Sequence, residues 1–316
     1  MAAPIPCLDL SGFVSGDAAS KLAAARAWDE AMSSVGVCHV TGHGVDADAV
    51  RAADAAARAF FLQPADVKAK SAAAFYGDLG YCAPGVEAVS RTHEDAPQRP
   101  ADAVESFVIH NVKDDKQVSE QFNAAMARYW VEMEKLMHAL MRLSALALGL
   151  DEGFFAPFYD NHHSVLRLAH YPPSPARARA EVADAGGAGG AAQAQLRYGE
   201  HTDYIGLTIL RHDQPGLEVR LPDGRWVGVP PVSGELAFTI NSADLVAQWT
   251  NDRWRSPLHR VANGAAGGGG RLSLVFFSGP ANDAVVTCLP GCGAPRYPPT
   301  TAGAYLQQKL AASNDV

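Results

Sequence analysis

The chain has 316 residues, enough for one large domain or two modest ones and for a substantial buried core. Hydrophobic residues make up 48% and charged residues 19%, which is the texture of a globular chain and excludes a disordered one. The formal net charge of -8 argues against a nucleic-acid partner, because binding a phosphate backbone rests on clustered Lys and Arg.

In chain order, 17–34 is Ala-rich, with Leu22, Ala25, Trp28 and Met32 at helical spacing. The β-branched run 35–41 predicts a strand, closed by a turn at Gly42-His43-Gly44. Asp46 is placed to cap a helix that runs through Phe61 and stops before Pro64. Residues 77–103 are rich in Gly, Pro and charge and read as loop, and 105–111 reads as a strand. From Val118 to Leu150 runs the longest helical pattern, with Phe122, Met126, Tyr129, Met133, Leu136, Leu140 and Leu143 on one stripe, the mark of core packing. His138 lies off that stripe and reads as solvated.

After about residue 160 the texture changes to short apolar runs punctuated by Gly, Pro, Asn and Asp. These runs are 165–171, 204–210, 217–221, 226–229, 236–240, 259–261, 272–277 and 284–288. Many short strands with turn signals point to a sandwich or barrel. The fold expected is α+β, with a helical N-terminal region packed around a C-terminal antiparallel barrel. Low-complexity stretches at 176–195 and 264–270 read as surface loops between strands.

No apolar run approaches the ~18 residues of a membrane span. The first ten residues carry Pro4 and Pro6 and lack a secretory pattern. Cys7, Cys38, Cys82, Cys288 and Cys292 form an odd, scattered set that makes no disulfide framework. Free thiols in a cytoplasmic setting are the expectation.

Chemistry concentrates at Glu200-His201-Thr202-Asp203. If His201 and Asp203 share one strand, the period of two aims an imidazole and a carboxylate at one point. His259, in Ser256-Pro257-Leu258-His259, is the natural third ligand from another strand. Two His and one carboxylate leave positions open on an octahedral metal, which suits iron(II) that must also hold a chelating cosubstrate and oxygen. A second such motif, His93-Glu94-Asp95, lacks any strand pattern and reads as surface charge. Arg271 and Ser273 alternate on a predicted strand. They offer a guanidinium fork and a hydroxyl to a carboxylate, although a surface Arg would look the same in isolation.

These residues resemble the iron(II)/2-oxoglutarate dioxygenase superfamily, in particular its isopenicillin N synthase-like branch. The resemblance covers nearly the whole chain. It runs from the opening strand Ile5-Pro6-Cys7-Leu8-Asp9-Leu10 and the turn Gly42-His43-Gly44, through Phe60-Phe61 with Lys68 and Glu105-Ser106-Phe107, to Tyr171-Pro172-Pro173. It continues through His201-Thr202-Asp203-Tyr204, Asn241-Ser242-Ala243-Asp244, Trp249-Thr250-Asn251, 256–261 and Arg271-x-Ser273, and ends on Tyr305, Leu306 and Lys309. Departures from the family pattern are Ala243, Ala169 and the order Ile205-Gly206.

The resemblance implies a double-stranded β-helix, or jelly-roll, core. It also implies an N-terminal dioxygenase region at 1–115, a connecting helix at 116–158, the iron and 2-oxoglutarate core at 159–285 and a C-terminal helix at 286–316. It implies iron(II) on His201, Asp203 and His259, and 2-oxoglutarate on Arg271 and Ser273 with the Tyr171 hydroxyl as a further donor. Phe277 and Arg167 fall near the substrate, where ordinary barrel packing accounts for them equally well. The implied activity consumes 2-oxoglutarate and O2, with ascorbate as a reductant, and oxidises a small organic molecule by hydroxylation, desaturation or ring closure while releasing succinate and CO2.

Three other readings stand beside this one. An iron oxidase of the same fold would use Arg271 and Ser273 for the substrate's own carboxylate. A zinc hydrolase could use the same ligand types, but no metalloprotease-like base motif accompanies them. A non-catalytic module on the same scaffold is the third, since fold alone does not imply activity.

Overall fold

The computed structural model describes residues 5–74, 78–86, 89, 101–110, 118–173, 196–233, 236–262 and 270–314. His93-Glu94-Asp95, the stretch at 176–195 and positions 264–269 lie outside them.

The N-terminal third alternates as its periodicity predicts. Strand β1 (Cys7–Asp9) leads through α1 (Ser11–Ser15) to α2 (Ala18–Ser34). Asp17 caps α2 by accepting the Ser20 N–H at 2.8 Å, which satisfies a first-turn donor that has no helical partner. Strand β2 (Val37–Thr41) lies parallel to β1. Asp46 then caps α3 (Ala47–Phe61) through the Asp48 N–H, and Pro64 opens the short α4 (Ala65–Lys68).

Within the segment expected to be loop, Gly80–Cys82 forms a short strand, β3. It pairs antiparallel with β4 (Glu105–Ile109). Three residues among glycines and prolines carry too little periodicity to read, so the pairing partner decides that strand.

The long stripe becomes α5 (Glu120–Ala147). Ser119 caps it by accepting the Phe122 N–H at 3.2 Å, and Gly149, at φ +74°, ends it in the left-handed conformation that glycine tolerates. The short α6 (Ala156–Tyr159) follows.

The remaining strands are β5 (Val165–Tyr171), β6 (Tyr198–His201), β7 (Leu207–His212), β8 (Leu217–Arg220), β9 (Trp226–Gly228), β10 (Phe238–Ser242), β11 (His259–Val261), β12 (Arg271–Phe277), β13 (Val285–Val286) and β14 (Thr300–Thr301). A large sheet runs β1-β2-β10-β7-β12-β5-β4-β3, and a smaller one runs β6-β11-β8-β9. Neighbours are antiparallel apart from β1 and β2. The two sheets form the jelly roll of an α+β protein.

Alternation sorts the faces of the large sheet. One face packs on the helices in the main core, where Trp130 of α5 meets Phe276 of β12 edge-on at 5.1 Å between ring centres. The other face looks toward the small sheet. Between the sheets lies a small apolar cluster of Val37, Leu210, Leu217, Val219, Val227 and Val229. Most of that cluster also lines a cavity that opens between the sheets.

One expected element is corrected. The run 204–210 does not form a single strand carrying the His-x-Asp motif. β6 ends at His201, residues 202–206 turn, and β7 begins at Leu207. The backbone of that turn is claimed by a short helix, Asp244–Trp249, not by a neighbouring strand. The Asp244 N–H donates to the Asp203 carbonyl at 2.9 Å, and the Leu245 N–H donates to the Tyr204 carbonyl at 2.9 Å.

Candidate active site

The two histidines meet because β6 and β11 are antiparallel neighbours with His201 directly opposite His259. Opposite residues on an antiparallel pair project to the same side, and the rings lie 4.1 Å apart. Arg260 points the other way, onto Glu200 and Glu218 at 2.9 and 2.8 Å. Asp203 reaches the same point from the turn. Its Oδ1 lies 3.7 Å from His201 Nε2 and 3.6 Å from His259 Nε2.

The outward-facing atoms of these three residues are already engaged. His201 Nδ1 donates to the Gly199 carbonyl at 2.8 Å, and His259 Nδ1 donates to the Pro257 carbonyl at 3.0 Å. Each bond fixes the tautomer that leaves a lone pair on Nε2. Asp203 Oδ2 accepts from Asn241 Nδ2 at 2.6 Å and from the Thr208 hydroxyl. Three acceptor atoms therefore converge within 4.8 Å of one another, an arrangement that could hold a metal ion.

Electrostatics favour a cation there. Burial, reinforced by His259 and Arg167, pushes the His201 pKa down to about 3, so its imidazole is neutral and able to ligate. Burial works against the charge on Asp203, but His259, His201, Thr208 and Asn241 outweigh it and hold the carboxyl below its ordinary range.

At the far end of the cavity, Arg271 and Ser273 share a face of β12 and are only 1% and 2% exposed. Arg271 sits over the ring of Tyr171, its cross-strand neighbour, at 4.9 Å. Burial lowers the Arg271 pKa, but from a starting value so high that the guanidinium stays charged. Arg271 Nη1 and Ser273 Oγ are buried and have no hydrogen-bond partner among the described residues. Orphaned buried donors are costly unless something satisfies them. A carboxylate suits both, with two acceptor oxygens for a fork and a hydroxyl.

A second chamber adjoins His201 and Asp203. Arg167 and Phe277 border both spaces, and Arg167 stacks over Tyr198 at 4.9 Å. Its walls include Val108, Val165, Ile205 and the histidines His110 and His163. Leu306 and Leu310 of the C-terminal helix (Ala302–Asn314) close one side. That helix is tied down at Asp244, whose Oδ2 accepts from Lys309 Nζ, Tyr305 and Thr202 at 2.8, 3.1 and 3.0 Å.

The first cavity is lined by each candidate site residue from the sequence: His201, Asp203, His259, Arg271, Ser273, Tyr171, Arg167 and Phe277. Thr208, His110 and His163 escaped that reading, and Asn241 entered it only within the block Asn241-Ser242-Ala243-Asp244, without a role. A polar residue inside an apolar run, as at Thr208 within 204–210, is the signal that would have found the first. His138 is exposed, as expected. The cysteines are free thiols, and no described helix is long and apolar enough to cross a membrane.

A jelly roll with two imidazoles and one carboxylate converging inside it, and a buried cation at the far end of the same cavity, defines the class of mononuclear metal oxygenases. Comparison with known proteins identifies the family: the chain belongs to the 2OG-Fe(II) oxygenase superfamily, whose sequence profile matches residues 162–280. A second profile, described as the non-haem dioxygenase in morphine synthesis N-terminal region, matches residues 5–132. Gibberellin 20 oxidase 2 of Oryza sativa subsp. indica is 31% identical over 320 residues, spanning 96% of this chain and 75% of that protein. The 2-oxoglutarate-Fe(II) type oxidoreductase hxnY of Emericella nidulans is 28% identical, covering 96% of this chain and 89% of its own length. Among solved structures, a full-length Neurospora crassa protein in complex with alpha-KG and thymine superposes with a TM-score of 0.83 at 27% identity, covering 98% of this chain and 96% of that one. The protein is thus a member of a family of dioxygenases that use iron(II), 2-oxoglutarate and O2.

Proposed function

We propose that His201, Asp203 and His259 hold iron(II), and that Arg271 and Ser273, with Tyr171 beside them, receive the distal carboxylate of 2-oxoglutarate. The reaction is the oxidation of a small organic molecule by hydroxylation, desaturation or ring closure. The observation that carries this reading is the pair of orphaned donors, Arg271 Nη1 and Ser273 Oγ, at one end of the cavity whose other end holds the three converging ligand atoms. A dicarboxylate held at the three ligand atoms by one end would find in Arg271 and Ser273 a partner for its other carboxylate.

The bound iron and cosubstrate supply the oxidising chemistry, with succinate and CO2 as the cosubstrate's products. This chain's residues supply the geometry. Neutral His201 donates a lone pair, and its Nδ1 bond to Gly199 keeps the ring from turning. Asn241 and Thr208 hold Asp203 so that one oxygen faces the histidines. The apolar walls contributed by Leu210, Val219 and Val261 keep water from the cosubstrate end. The chamber bordered by Phe277 and Arg167 takes the substrate next to the metal.

The test needs no knowledge of the substrate. Iron(II) and then 2-oxoglutarate are added to metal-free protein without oxygen, and the visible spectrum is recorded. A metal-to-ligand charge-transfer band that requires both additions and disappears in Arg271→Ala is expected, together with loss of succinate formation in His201→Ala and Asp203→Ala. Tight iron binding without a band would instead favour an oxidase that holds its substrate's own carboxylate on Arg271.

A further inference from the structure

We infer that His212 is a positioning residue of the cosubstrate anchor, setting the direction of Arg271 through a backbone carbonyl that the two side chains share. The inference rests on the reading that Arg271 receives 2-oxoglutarate.

The shared group is the carbonyl of Gln214. Arg271 Nε donates to it at 3.2 Å, and His212 Nδ1 reaches the same oxygen at 3.2 Å. Gln214 lies in an exposed turn between β7 and β8, followed by Pro215 and by Gly216 at φ +129°. No strand ladder fixes the direction of that carbonyl, so the side chains that bind it do. His212 is 3% exposed and grips the turn from the interior. It is also the cross-strand partner of Ser273, and so stands beside both halves of the anchor.

A chain of hydrogen bonds fixes the direction of the imidazole. A carbonyl can only accept, so His212 Nδ1 carries the proton and Nε2 must accept in turn. Nε2 lies 3.2 Å from the Thr239 hydroxyl, which lies 3.1 Å from His39 Nδ1. The consistent order is His39 N–H to Thr239 oxygen, Thr239 O–H to His212 Nε2, and His212 N–H to the Gln214 carbonyl. Burial and the nearby Arg271 charge push the His212 pKa down to about 3, so the ring adds no second positive charge beneath the guanidinium. Asp213 completes the frame: its carboxylate accepts the Leu272 N–H at 2.9 Å and pairs with Arg58 at 2.5 Å. An imidazole here orients the anchor without competing for the anion the anchor is there to bind.

The experiment compares His212→Leu, which removes the donor, with His212→Asn, whose amide can still donate from the position of Nδ1. The dissociation constants of iron(II) and of 2-oxoglutarate are measured separately without oxygen, the second by titrating the charge-transfer band, with Arg271→Ala as control. His212→Leu should weaken 2-oxoglutarate roughly tenfold with iron affinity unchanged, and His212→Asn should recover most of the loss. Unchanged 2-oxoglutarate affinity in His212→Leu, or equal losses of iron and 2-oxoglutarate, would overturn the inference; so would His212→Asn behaving like His212→Leu. If His212→Leu does not fold, His212→Asn must keep near wild-type affinity for the inference to survive. If Arg271→Ala itself leaves 2-oxoglutarate binding intact, the underlying reading fails instead.

Discussion

Asn241 donates its side-chain amide to Asp203 Oδ2 at 2.6 Å from near the end of strand β10. With the Thr208 hydroxyl on the same oxygen, this bond leaves Oδ1 as the atom that faces His201 and His259. Partners behind metal ligands tune affinity by about 10–100-fold. Asn241→Ala should therefore raise the iron(II) dissociation constant by at least about tenfold while the fold is retained. An iron titration in which the variant matches the parent would show that Asp203 needs no such support.

A buried network ties the N-terminal region to the barrel beside Tyr171. Lys68 Nζ meets Glu105 Oε2 at 2.6 Å, Tyr81 donates to the same oxygen at 2.7 Å, and His170 Nδ1 lies 2.8 Å from Oε1. Lys68 and Glu105 are 8% and 4% exposed, so removing one partner strands a charge where water cannot reach it. Lys68→Met should cost about 3–5 kcal/mol by chemical denaturation. The double variant Lys68→Met with Glu105→Leu should recover a large part of that cost. A double variant as unstable as the single one would mean that packing, not charge, is what Lys68 provides.

Acid sensitivity follows from His212. Its ordinary pKa of 6.5 is driven down to about 3 in the folded protein, chiefly by burial and then by Arg271. Between those values only the unfolded chain takes up the proton, so unfolding is favoured as the pH falls. Stability contributed by the neutral ring is present above about pH 6.5 and is lost progressively toward pH 3. The thermal midpoint of the parent should drop more from pH 7 to pH 5 than that of His212→Asn, which has nothing to protonate there. Parallel decreases in the two proteins would remove His212 as the source.

The parts of the fold legible in the sequence are those that local pattern decides alone. Strands β5 and β11 match their apolar runs, and Asp46 caps the helix it precedes. The candidate ligands His201, Asp203 and His259 stood out by residue type and spacing, whereas Arg271 and Ser273 gained weight only through the family resemblance, because an Arg on a strand reads equally well as surface charge. Tertiary contacts decided the rest. β6 ends at His201 because the helix at 244–249 takes the backbone hydrogen bonds of Asp203 and Tyr204, and no residue near 203 announces that helix. His212 looks like any polar residue at a strand end until Ser273 and the Gln214 carbonyl are found beside it.

The order Ile205-Gly206 also has its reason in three dimensions. A Cβ on Gly206 would lie 1.5 Å from the Ser278 carbonyl oxygen and 2.6 Å from its carbon, which are backbone atoms that cannot swing aside. Glycine at 206 lets the turn carrying Asp203 pass against the end of β12. Ile205 is then free to lay its side chain over Gly279 and into the substrate chamber, with its Cδ1 2.2 Å from where a Cβ on Gly279 would stand. Gly206→Ala must push the turn away from Ser278 and drag Asp203 with it. The expected result is weaker iron binding by at least about tenfold, since a displaced ligand behaves like one that has lost its support, together with a lower thermal midpoint. Gly228→Ala serves as the control, because nothing lies within 4 Å of its added Cβ. That variant should be neutral or slightly stabilising. If Gly206→Ala binds iron as the control does, the turn has slack, and close approach to Ser278 is not what fixes Asp203.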